Sequence, residues 1–103
     1  ANLYDEIHNL WFDEAIFKGS YPQKLLDIFE INMPENYQND MDIISQNLDW
    51  VGVNYYTRSI VKFDESEPNF KFSLVEGDLP KTDMGWEIFP KGLSNVLRRL
   101  NSD

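Results

Sequence analysis

Three side chains stand where a short chain could meet a small polar ligand: Asn54 and Tyr56 in "VGVNYYT", and Trp86 in "TDMGWEIFP". Side chains alternate along an extended segment, so Gly52, Asn54 and Tyr56 share one face while Val51, Val53 and Tyr55 share the other. An amide and a phenol on one face can hydrogen-bond a substrate hydroxyl or a catalytic carboxylate. The C-terminal end of a buried parallel strand is where α/β barrels place such groups. A tyrosine there serves equally well by spanning core and solvent with its hydroxyl wet, and the pattern alone leaves both readings open. Trp86 follows Gly85 in a long loop, where an indole is a stacking platform for the apolar face of a sugar ring. Trp50, inside the strand, reads as core.

Other groups carry less. Asp83 and Glu87 are acid or base candidates by type, but paired carboxylates arise by chance in a chain with 18 acidic residues and need geometry before they have a role. His8, the sole histidine, sits in a helical stretch and reads as a structural hydrogen-bonder. There is no cysteine, so thiol chemistry and cysteine metal sites are excluded. Phosphate loops, paired histidines and a serine elbow are likewise missing, and no cofactor or metal is expected. A formal net charge of -9 repels nucleic acid and anionic membrane surfaces, and the Arg98–Arg99 pair reads as a solvated helix tail. No apolar run approaches a membrane span and no signal peptide is visible, so a cytoplasmic location is expected.

The elements that must position these residues follow from periodicity. Leu3, Tyr4, Ile7, Leu10, Trp11 and Ala15 recur at steps of three and four, which predicts an amphipathic helix over 3–17. Lys18 suits its end, Gly19 can take the left-handed cap, and Pro22 opens a shorter second helix through Leu25, Leu26 and Phe29. Residues 35–46 suggest a short capped helix or turn. From Trp50 to Thr57 β-branched and aromatic residues run without a charge, the pattern of a strand buried on both faces. "SIVKF" and "FKFSLV" flank the acidic "DESEPN" and predict a β-hairpin. Residues 76–92 hold three of the five glycines and two of the five prolines, so a long irregular, functional loop is expected. Pro90 then opens a helix striped by Leu93, Val96, Leu97 and Leu100. The fold class is α/β, with one buried strand whose two edges both need neighbours.

"LDWVGVNYYTRSIVKF", followed by "KTDMGWEIFPKGL" and preceded by "HNLWFDEAIFKGSYP", resembles the β-glucosidases of glycoside hydrolase family 1, in order and over about the whole chain. Such enzymes are (β/α)8 TIM barrels, of about 250 residues or more. The resemblance implies that residues 1–103 are one partial segment of the barrel: the helix after the fifth strand, the sixth strand as Asp49 to Tyr56, the hairpin-bearing loop and the next helix.

The family's reaction is retaining hydrolysis of β-glycosides by two carboxyl groups about 5 Å apart. Its acid/base glutamate belongs to an Asn-Glu-Pro motif and its nucleophile to a Thr-Glu-Asn-Gly motif, and neither occurs here, so no glutamate of this chain takes a catalytic role. By resemblance, Asn54 and Tyr56 line the sugar subsite, with the Tyr56 hydroxyl supporting the nucleophile carried elsewhere, and Trp86 walls the aglycone side. "NYYTR" leans toward unphosphorylated glucosides, but the family residues that separate glucosides from 6-phosphoglucosides fall outside this chain, so the 6-phospho-β-glucosidase branch stays open. "WFDEAIFKG" departs from an apolar residue and a proline common near Asp13 to Ala15, which touches geometry and not chemistry. The expected partners are a β-glucoside or related oligosaccharide and the remainder of the barrel. The isolated chain is expected to be inactive and to self-associate. The alternative is a non-catalytic carbohydrate-binding or interaction module.

Overall fold

The computed structural model describes residues 2–29, 32–68 and 70–102. They form two compact units, Asn2–Val51 and the chain from Gly52 onward.

The first unit is helical. α1 (Asn2–Asp5), a π-helical turn (Glu6–Leu10) and α2 (Trp11–Lys18) succeed one another without a break. The expected helix is therefore present, with one addition: the Trp11 N–H reaches back five residues to the Glu6 carbonyl, which widens the turn. Gly19 ends α2 at φ 70°, and its N–H and that of Ser20 both bond the Glu14 carbonyl. The positive φ favours glycine here, and a β-carbon at Gly19 would also crowd Ser45 Oγ at 3.1 Å.

α3 (Gln23–Phe29) starts after Pro22, whose carbonyl accepts from the N–H groups of Leu25 and Leu26. A 3-10 turn (Tyr37–Asp40) leads into α4 (Met41–Ile44), closed by Ser45 Oγ donating 2.6 Å to the Met41 carbonyl. The core of this unit holds Ala15, Leu25 and Met41. An aromatic cluster extends it: Trp11 stacks on Tyr21 at 4.0 Å and meets Phe29 edge-on at 6.2 Å. A partly open apolar groove beside Leu25 is lined by Ile7, Trp11, Phe29 and Met33.

The stretch that runs from the first unit into the second corrects one expectation. The stretch Trp50 to Thr57 has no ladder partner among the described residues, and instead of being buried on both faces it lies largely open, with Trp50 82% and Tyr56 67% exposed. Trp50 is therefore surface and not core in this chain. The reason is that a central strand is covered and paired by its neighbours, and the described residues provide none for it. The alternation survives: Gly52, Asn54 and Tyr56 are exposed while Val53, Tyr55 and Thr57 are half-buried.

The hairpin forms as expected. β1 (Ile60–Phe63) pairs antiparallel with β2 (Phe72–Val75), Ile60 opposite Val75 and Phe63 opposite Phe72. Asp64 organises the turn: its N–H donates to the Lys71 carbonyl, and its carboxylate accepts from both the N–H and the hydroxyl of Ser66. Those Ser66 bonds hold the Asp64 carboxyl below its usual range.

α5 (Pro90–Ser102) closes the chain. Its apolar stripe is only partly covered, with Val96 and Leu100 half-buried and Leu93 and Leu97 exposed.

Candidate functional site

The loop from residue 76 to 89 is more ordered than its glycines and prolines suggest. Lys81 and Glu87 form an antiparallel bridge, the Thr82 N–H donates 2.7 Å to the Trp86 carbonyl, and the Ile88 N–H donates 2.8 Å to the Pro80 carbonyl. At its tip the Gly85 N–H closes on the Thr82 carbonyl, and Gly85 sits at φ 80°, a conformation glycine adopts without cost. Thr82 Oγ1 accepts from the Trp86 N–H at 3.2 Å. Trp86 thus stands on a tight turn and not on a slack loop.

The indole is brought to Tyr56. The two ring centroids are 5.5 Å apart and tilted by 39°, an ordinary aromatic pairing, and both rings keep an exposed surface. Asn54, two residues before Tyr56, is exposed as well. Of the three residues singled out by type, Tyr56 and Trp86 are in contact, and Asn54 lies two positions away in the chain, exposed like Tyr56.

The opposite side of the segment explains why that face is presented. Tyr55 donates its hydroxyl to the Phe89 carbonyl at 2.7 Å, at the entrance of α5. Burial pushes the Tyr55 phenol up from its ordinary pKa, with opposing influences from Arg58 and Glu87. Gly92 makes room for it, since a β-carbon there would lie 2.0 Å from the hydroxyl oxygen. Thr57 Oγ1 then donates 2.7 Å to the backbone carbonyl of Glu87.

Glu87 is the charged residue at the centre of this arrangement, 6% exposed. Its carboxylate takes a two-pronged hydrogen bond from Arg58, Nε to Oε1 at 2.5 Å and the second guanidinium nitrogen to Oε2 at 3.2 Å. The Leu79 N–H adds a third bond at 2.9 Å. The Arg58 fork, followed by the Leu79 N–H, holds the Glu87 carboxyl below the usual carboxylate range despite its burial. Arg58 in turn lies 4.1 Å over the Phe89 ring, and its pairing with Glu87 raises its own affinity for the proton. Gly77 completes the cradle, because a β-carbon there would fall 2.0 Å from Glu87 Oε2.

Asp83 has no place in this cluster, and Glu87 spends its carboxylate on Arg58 and Leu79, which leaves it unsuited to proton transfer. Arg58, Gly77 and Gly92 were not singled out from sequence. The only available signal was the charge of Arg58 directly after a run of uncharged strand residues. His8 lies in the π turn of the first unit with its ring 4.2 Å from that of Tyr4. Among the described residues no group of histidines and carboxylates is arranged to hold a metal ion.

Known proteins match this chain throughout its length. The profile of Glycosyl hydrolase family 1 matches residues 1–103. Beta-glucosidase A of Thermotoga maritima is 45% identical over 92 residues, which are 89% of this chain and 20% of that protein. A solved beta-glucosidase from Exiguobacterium marinum superposes with a TM-score of 0.88 at 34% identity, covering 99% of this chain and 24% of the other. The Thermotoga maritima beta-glucosidase in complex with deoxynojirimycin gives a TM-score of 0.84 at 40% identity, covering 99% and 23%. The chain therefore spans about a fifth to a quarter of the proteins it matches, and its helices and hairpin are those of part of a TIM barrel. With the family profile matched from the first residue to the last, this chain belongs to glycosyl hydrolase family 1.

Proposed function

We propose that the chain is one part of a retaining β-glucosidase, supplying a wall of the sugar pocket while the catalytic acid and nucleophile come from parts of the barrel outside it. The observation that carries this reading is the Tyr56–Trp86 contact at 5.5 Å, an exposed phenol beside an exposed indole. Asn54 and Tyr56 offer hydrogen bonds on one face, and Trp86 offers a flat apolar surface to a leaving group. The Tyr56 hydroxyl is assigned to the nucleophilic carboxylate, where a donated hydrogen bond keeps that group ionised and oriented. Relatives named as beta-glucosidases, one solved with the glucose-like deoxynojirimycin, support the substrate class. The same reading makes the rest of the barrel the chain's partner, and self-association its default when that partner is withheld.

The test is hydrolysis of a chromogenic β-glucoside by this chain alone and after mixing with the complementary barrel segments carrying both glutamate motifs. Turnover in the mixture, with none from the chain alone and with loss on Tyr56→Phe, is expected. No turnover in the mixture, together with sugar binding by the isolated chain, would replace this reading with an independent binding module.

A further inference from the structure

We infer that Arg58 and Glu87 are positioning residues for Trp86: they hold the indole against Tyr56 and so set the enzyme's selectivity for the leaving group, not for the sugar. The inference rests on the proposed role of Trp86 as the wall of the leaving-group side.

The connectivity is direct. Glu87 is the residue after Trp86, and Thr57 and Arg58 are the residues after Tyr56. Thr57 Oγ1 grips the Glu87 main chain, and Arg58 grips its carboxylate with two nitrogens. The chain neighbours of the two rings are thus tied together by three hydrogen bonds. A fourth, from the Leu79 N–H, ties the same carboxylate to the start of the loop. On the other flank Thr82 holds both the N–H and the carbonyl of Trp86. The Trp86 backbone has little freedom left, and the ring contact follows from it.

Two further features show that the tie depends on shape as well as charge. The guanidinium carbon sits 4.1 Å over the Phe89 ring, a contact that helps fix the fork; lysine has the charge but neither the fork nor the planar head. At Gly77 any side chain would enter the space of the carboxylate. Gly77→Ala therefore disturbs the tie without removing a charge, and provides an independent lesion beside Glu87→Gln and Arg58→Lys.

The experiment has two arms. In the complete glycosidase that carries this chain, labelled with 5-fluorotryptophan, the Trp86 fluorine resonance is assigned by its loss in Trp86→Phe and then followed in Glu87→Gln, Arg58→Lys and Gly77→Ala. All three should move or broaden it while leaving the Trp11 resonance in place. In the complete glycosidase carrying the same substitutions, kcat/KM for bulky aryl β-glucosides should fall on the order of 10- to 100-fold, the scale of a misplacement of about 1 Å. Inhibition by deoxynojirimycin, which has no leaving group, should hardly change.

An unmoved Trp86 resonance in all three variants overturns the inference. So does an equal loss for aryl glucosides and deoxynojirimycin, which would mean general damage to the site. A wild-type enzyme without β-glucoside hydrolysis sinks the functional reading and the selectivity built on it, and is told apart because the fluorine arm then still reports a tied Trp86.

Discussion

At the scale of single residues, the organising group is a carboxylate held by three hydrogen bonds. Glu87 is lowered in pKa mainly by Arg58, with Lys81 a minor contributor, so its ionised form is favoured by the fold. The stabilisation is fully present above the ordinary glutamate pKa of about 4.3 and is lost as pH falls through the lower native value. The fluorine signal of Trp86 should therefore hold steady from pH 7 to about 5 and change only in stronger acid. In Glu87→Gln that acid transition should disappear; a transition of the same size in both proteins would assign it to another carboxylate, such as Asp64. Tyr55→Phe removes one hydrogen bond to the Phe89 carbonyl and should cost about 1 kcal/mol in urea unfolding. These roles were hard to see in the sequence because the partners are far apart: Arg58 and Glu87 lie 29 positions from each other and Tyr55 and Phe89 lie 34.

Elements were more readable where their cause is local. The first helix follows from apolar spacing, its end from Gly19, and the hairpin from two short arms around "DESEPN", and all three are present. The order within residues 76–89 was only half readable: the turn from Thr82 to Trp86 is local, while the anchoring of Glu87 by Arg58 comes from outside the loop. The segment 50–57 was readable as to residue type and alternation but not as to state, because a ladder depends on neighbours that no local pattern reports. Two substitutions probe packing at this scale. Leu25 is fully buried against the aromatic cluster of the first unit, and Leu25→Ala should cost about 2–5 kcal/mol, read as a lowered urea midpoint. Gly92→Ala should displace Tyr55 from the entrance of α5, and the loss should be only partly relieved in the double variant with Tyr55→Phe, because the ring carbon that carried the oxygen would still lie 2.7 Å from the new β-carbon.

At the scale of the whole molecule, the chain is about a fifth of the length of the Thermotoga maritima relative, and its surface shows it. Trp50, Val51, Tyr56 and the α5 leucines Leu93 and Leu97 are exposed, and extended backbone beside them has no ladder partner among the described residues. Sedimentation at rising concentration should show reversible association of the isolated chain, suppressed by the complementary barrel segments; a concentration-independent monomer would contradict this. Changes of chain length should be tolerated unevenly. Losing one residue from a regular helix turns everything beyond it by about 100° and scrambles the buried face. The π turn at Glu6–Leu10 already holds one residue more than a regular turn needs. Deleting Asn9 should therefore relax it to ordinary pitch and leave the two flanking helical stretches in phase, making this stretch the place where the gene can lose a codon at least cost.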